Sequence, residues 1–159
     1  IRLNNEKCAY IDDYAHHPVE IKTVLEAARQ ATTGKIIAVM QPHRYSRLSY
    51  LFNEFVTCFK ECDQLIIAPV YSAGEEPIEG INSEKLAKAV RQQGDVQNVF
   101  EIEDAKEIAY LVRRIAKPGD LVLCLGAGSI TYWAATLPAQ LDPLWQEEEE
   151  SVQVQEIAG

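Results

Sequence analysis

Three short runs in this chain are almost wholly apolar: Lys35-Ile-Ile-Ala-Val-Met40, Leu65-Ile-Ile-Ala-Pro-Val70 and Leu121-Val-Leu-Cys-Leu125. A strand with one wet face alternates polar and apolar residues. An unbroken apolar strand needs cover on both faces, and parallel sheets provide it. The segments between these runs have helical periodicity. Ile21, Val24, Leu25 and Ala28 form one stripe between Pro18 and Ala31. Leu51, Phe52, Phe55, Val56 and Phe59 form another between about Arg47 and Lys60, and Ile108, Leu111, Val112 and Ile115 a third between Asp104 and Lys117. Asn82 or Ser83 caps a further helix that Gly94 closes. Cys8–Ile11 and Val96–Phe100 read as short strands, and a last helix runs from the Gly126 turn through about Leu137.

Strands alternating with helices predict an α/β fold, Rossmann-like, with a mostly parallel sheet of five or six strands and helices on both faces. Residues 1–141 are expected to form one domain. Residues 142–159 carry six acidic side chains and no Lys or Arg, so they read as a mobile acidic tail. The chain has net charge −9, and residues 1–141 hold only −3 of it. A nearly neutral body argues against nucleic-acid binding. No apolar run approaches the ~20 residues of a membrane span, and the first residues show no signal-peptide core, so the expected location is the cytoplasm. Residue 1 is Ile, which reads as a piece of a longer polypeptide or a trimmed N-terminus. Cys8, Cys58, Cys62 and Cys124 lack metal spacing and read as buried free thiols.

The chemistry-bearing residues gather directly after the apolar runs. Asp12-Asp-Tyr-Ala-His-His-Pro18 follows the first strand. Neighbours on an extended segment point to opposite faces, so one of Asp12/Asp13 and one of His16/His17 faces a ligand while the other caps or packs. Gln41-Pro-His-Arg-Tyr-Ser-Arg47 follows the second strand. Arg44 and Arg47, three apart, can turn two guanidinium forks toward one carboxylate or phosphate. His43 either holds the same anion or packs. Gly126-Ala-Gly-Ser129 opens the last helix, where Ser129 either binds an anion at the helix N-terminus or caps it. A dinucleotide fingerprint would need glycine at 131, and Thr131 stands there. No metal-ligand spacing, Gly-x-Ser-x-Gly elbow or Gly-x-x-x-x-Gly-Lys-[Ser/Thr] phosphate loop occurs. If the protein handles ATP, the main triphosphate grip lies elsewhere.

These motifs, with Tyr71-Ser-Ala-Gly-Glu-Glu-Pro77 between them, resemble in order and spacing the C-terminal domain of the Mur ligases over about residues 1–137. Within that family they look most like the members that join L-alanine to UDP-N-acetylmuramate in peptidoglycan synthesis. The ligase that recycles murein peptides is similar in the first motif but lacks the Gln-Pro-His-Arg-Tyr-Ser-Arg run. The resemblance implies an ATP-dependent amide ligase using Mg²⁺, with both gripped mainly by a central domain that this chain lacks. It implies that the isolated domain is inactive. By similarity, Asp13 accepts from the ATP ribose hydroxyls. Tyr14, His16, Arg44 and Arg47 line the amino-acid and acyl-phosphate site, with His16, Arg44 and Arg47 as the catalytic set. His43 and Ser129 join the substrate-binding group, and Glu75 or Glu76 meets the alanine ammonium. UDP-N-acetylmuramate is reached through the other domains. The competing readings are a free-standing nucleotide-binding module and a non-catalytic interaction domain. Thr131 opposes the former, and polar groups gathered at strand ends oppose the latter.

Overall fold

The computed structural model describes residues 2–3 and 8–158, with side-chain surroundings over 8–146. In chain order the elements are β1 (Arg2–Leu3), β2 (Cys8–Asp13), α1 (Pro18–Ala31), β3 (Ile36–Met40), α2 (Tyr45–Tyr50), α3 (Phe52–Thr57), β4 (Gln64–Ile67), α4 (Ser83–Gln93), β5 (Asn98–Glu101), α5 (Lys106–Ile115), β6 (Asp120–Leu125) and α6 (Ile130–Ala158). The sheet order is β1-β2-β6-β3-β4-β5. Five strands are parallel, and β1 adds an antiparallel edge, Arg2 opposite Tyr10. The expected α/β architecture is the observed one.

The unbroken apolar strands lie where their composition requires. Every residue of β3, β4 and β6 is buried. On one face Ile36, Ala38, Met40, Leu65, Leu121 and Leu123 pack against Ile21 and Leu25 of α1, Leu48 of α2, Phe55 of α3 and Leu86 of α4. On the other, Ile37, Val39, Ile66 and Val122 pack against Ile108 and Val112 of α5 and Ile130, Leu137 and Leu141 of α6. The chain therefore winds from β2 through β5 with its helices on one face. It then returns over the other face through α5 and inserts β6 between β2 and β3. Reversing both direction and face keeps the crossover hand. β6 leads into a helix on one face while its neighbours β2 and β3 lead into helices on the other. That is a topological switch point, where open α/β sheets place ligands at the carboxyl ends of strands.

Three elements differ from the sequence expectation. The single helix over Arg47–Lys60 is two, because Leu51 (φ −108°, ψ 21°) leaves the helical region. β2 runs on to Asp13, so Asp12 and Asp13 are strand residues. The last helix does not stop at Leu137. α6 passes through Pro138 and Pro143, each of which removes one N–H from the ladder. Burial of Leu137, Leu141 and Trp145 along one stripe offsets that loss. Arg113 of α5 supports it too: its Nε donates to the Leu144 carbonyl (3.2 Å) and its guanidinium lies 4.6 Å over the Trp145 ring. The side chains of the Glu147–Glu150 run lie outside the described residues. All four cysteines are buried and free. Among the described residues no helix is long and apolar enough to cross a membrane.

Candidate functional site

The loops after β2, β3, β4 and β6 meet at the carboxyl edge. His43 forms a one-residue parallel bridge with Tyr71. The Arg44 N–H donates to the Tyr71 carbonyl and the Tyr71 N–H to the Pro42 carbonyl, both at 2.8 Å. The His43 ring stacks on Tyr71 (centroids 5.3 Å, 25°). On its other side it lies 5.5 Å from the His16 ring, which meets Tyr14 edge-on at 5.2 Å. Tyr14, His16, His43 and Tyr71 thus form one row of rings from the loop after β2 to the loop after β4.

Of the tandem histidines, His17 is the structural one. Its Nδ1 accepts from the Val19 N–H (3.3 Å), and Glu20 accepts from the His17 N–H (3.0 Å), a capping box with Pro18 at the first helical position. His16 is left for the row. Its Nδ1 lies 2.9 Å from the Tyr14 carbonyl. A carbonyl only accepts, so Nδ1 carries the hydrogen and neutral His16 has its lone pair at Nε2. His43 has the opposite tautomer. Its Nδ1 faces Arg47 Nη1 at 3.0 Å. A guanidinium only donates, so the His43 hydrogen sits on Nε2. Partial burial, then the charge of Arg47, holds the His43 pKa below its ordinary 6.5. The two adjacent rings can therefore offer a base at one nitrogen and a neutral donor at the other.

Arg44 does not share a helical turn with Arg47. It stands at the N-cap of α2 with φ 73° and ψ 136°, a region that L side chains rarely adopt and that costs ~1–3 kcal/mol. Arg47 folds back so that Nη1 also donates to the His43 carbonyl (2.9 Å). Arg44 is exposed, and no described hydrogen bond uses its guanidinium. The missing cap of α2 comes from Glu75, which accepts from the Ser46 N–H (3.1 Å) and hydroxyl. Those bonds hold its pKa below the usual carboxylate value. Both Glu75 oxygens are used at Ser46, so Glu75 organises the loop. Glu76 beside it is exposed.

Asp13 Oδ1 accepts from the Ala15 N–H (2.9 Å), and its carbonyl accepts from the Gly126 N–H (3.1 Å). Asp12, on the opposite face of β2, lines a small cleft with Ala134 and Ala135 of α6. In the glycine turn, a Cβ on Gly128 would come within 2.6 Å of the Tyr71 ring and 2.8 Å of Gln41 Oε1, so only glycine fits. Ser129 faces a cavity of about 470 Å³ lined also by Gln41, Tyr71, Glu103, Asp104 and Trp133.

Sequence reasoning missed Gln41 and Tyr71. Gln41 is buried at the end of an apolar strand, and a buried amide there was the available signal. The row and its flanks bring together O–H donors, guanidiniums and imidazoles, a set that fits carboxylate or phosphoryl oxygens, while Asp13, Glu103 and Asp104 add carboxylates around it.

Comparison with known proteins bears on the family. The family model described as "Mur ligase, glutamate ligase domain" matches residues 1–128. UDP-N-acetylmuramate–L-alanine ligase from Rhodospirillum centenum is 58% identical over 134 residues, 84% of this chain and 28% of that protein. The enzyme of the same name from Sinorhizobium medicae is 58% identical over 82% of this chain and 27% of its own length. The chain thus spans just over a quarter of the curated relatives it matches. Among solved structures, the UDP-N-acetylmuramate-alanine ligase of Thermotoga maritima superposes with TM-score 0.67 at 22% identity, over 89% of this chain and 27% of that one. On this fold, these motifs and these matches, the chain belongs to the Mur ligase family, as its C-terminal domain.

Proposed function

We propose that this chain, over residues 1–141, is the amino-acid-binding, closing domain of an ATP-dependent ligase. The ligase joins L-alanine to UDP-N-acetylmuramate in peptidoglycan synthesis and works in the cytoplasm, where nucleotide substrates are made and used. The observation that carries this reading is the row Tyr14–His16–His43–Tyr71 with its flanking arginines at the switch point. The names of the close relatives support it.

In such a ligase ATP, with Mg²⁺ held mainly by the central domain, converts the muramate carboxylate into an acyl phosphate. The alanine amine displaces phosphate to give the amide. Arg44, with its whole fork available, and Arg47, held against His43, stabilise carboxylate and phosphoryl oxygens. His16 Nε2 takes a proton from the attacking amine. His43 donates from Nε2 to the same anionic region. Ser129 donates to the alanine carboxylate, and Asp13 has an oxygen for the ribose hydroxyls. Exposed Tyr14 limits the size of the amino acid. Glu75 acts through Ser46 by holding the arginine turn.

The test is phosphate release by the full-length ligase with ATP, UDP-N-acetylmuramate and L-alanine. Arg44→Ala should lower kcat/KM by ~2–4 kcal/mol of transition-state stabilisation, the loss of a charge-assisted contact. Release that requires a preformed peptide in place of L-alanine would replace this reading with murein-peptide recycling. Wild-type turnover in Arg44→Ala would remove Arg44 from the site.

A further inference from the structure

Gln41 begins the loop after β3, is almost wholly buried, and reaches across to the turn after β6. Its Oε1 accepts from the Ile130 N–H (3.1 Å), and its Nε2 donates to Ser129 Oγ (3.0 Å). Its own N–H donates to the Leu125 carbonyl (3.1 Å). One residue thus joins β3 to the first residue of α6 over 88 and 89 positions of sequence.

These bonds have only one consistent set of polarities. A backbone N–H can only donate, so the amide atom facing Ile130 is the oxygen. The other amide atom is then the NH₂ group, which can only donate. Ser129 Oγ must accept from it. The Ser129 hydroxyl hydrogen is therefore turned away from Gln41, on a half-buried residue beside the cavity that Tyr71 and Trp133 also line. Tyr71, packed against Gly128, keeps the turn from sliding.

We propose that Gln41 is a positioning residue that turns the Ser129 hydroxyl hydrogen away from itself, so that this point offers a donor to an oxyanion. The inference rests on the ligase reading and deepens it. A small amino acid has one anionic and one cationic end, and a donor aimed at this point favours the pose with the carboxylate at Ser129. Gln41 itself touches no reacting atom. It also uses the Ile130 N–H that a helix N-terminus would otherwise offer.

The test is a double-mutant cycle in the full-length ligase with Gln41→Glu and Ser129→Ala, measuring KM for L-alanine, kcat and melting temperature. Gln41→Glu keeps an acceptor for Ile130 but turns the second contact into an acceptor, which captures the Ser129 hydrogen. Each single variant should raise KM about tenfold, as for loss of one hydrogen bond to a charged group, with kcat within about twofold. The double variant should be no worse than either single one. A simple charge effect of Gln41→Glu would persist in the Ser129→Ala background; a positioning effect disappears there. Additive effects, or an unchanged KM with a lowered melting temperature, overturn the inference alone. If Gln41→Glu does not fold, Gln41→Met, which supplies neither bond, takes its place with the same outcomes. Absence of L-alanine-dependent release by the wild type overturns the ligase reading and this inference with it.

Discussion

The two ends of the sheet use the same residue types in opposite ways. At the amino edge, carboxylates are filled by the chain's own donors. Asp120 is buried and accepts from the Lys35 N–H (2.9 Å) and the Lys117 N–H (2.8 Å). Asp63 accepts from the Ile36 N–H (2.8 Å) and from Arg29 (2.6 Å), whose guanidinium also reaches the carbonyls of Gly34 and Glu61. A Cβ on Gly34 would come within 2.1 Å of the Gly119 carbonyl oxygen. At the carboxyl edge, polar side chains face outward: Arg44 is exposed and strained, and Tyr14 is 69% exposed. One end uses its polar groups on the chain's own backbone, and the other leaves the Arg44 fork outside the described hydrogen bonds.

Asp120→Ala should break the amino edge most severely. It leaves two N–H groups unpaired, which should lower unfolding free energy by ~2–4 kcal/mol in urea titrations. A loss under about 0.5 kcal/mol, the scale of ordinary surface changes, would erase the contrast between the two edges. Arg44→Gly should act the other way, raising stability by about 1 kcal/mol as the positive φ is relieved while turnover falls. A destabilised Arg44→Gly would show that the turn stores no strain.

The smallest effect concerns pH. His43 has a depressed pKa, so its neutral form belongs to the folded state. The contact with Arg47 is fully present above 6.5 and is lost as pH falls through the lower folded value. In an NMR titration His43 should titrate below 6.5, and Arg47→Ala should move it upward. Titration of His43 at or above 6.5 in the wild type would refute the tautomer assigned from Arg47.

The strands of the sheet centre were legible because burial on both faces forces unbroken apolar composition. The first motif was half legible. Alternation along an extended segment required one histidine to face the site but could not choose it. The choice lies in Glu20, which completes a capping box that histidine seldom heads. The arginine turn was misread because i,i+3 spacing has meaning only inside a helix, and Arg44 stands before one. Gln41 and Tyr71 escaped notice because their partners, Ser129 and Gly128, are distant in sequence. From the sequence the last helix ends near Leu137, whereas the Trp145 contact with α5 carries it onward.

The place of β6 also bears on how the protein acquires its shape during synthesis. β6 is the last of these six strands to be made, yet it pairs on one side with β2, Cys8 opposite Asp120, and on the other with β3. Until it emerges, β1-β2 and β3-β4-β5 are separate pieces, each with an open hydrogen-bonding edge where the other will never dock directly. Closing the gap joins residues far apart in the chain, the kind of late, long-range step that slows folding. A nascent chain halted before Leu125 would thus lack not a margin but its middle, and the four site loops would have no common edge on which to meet.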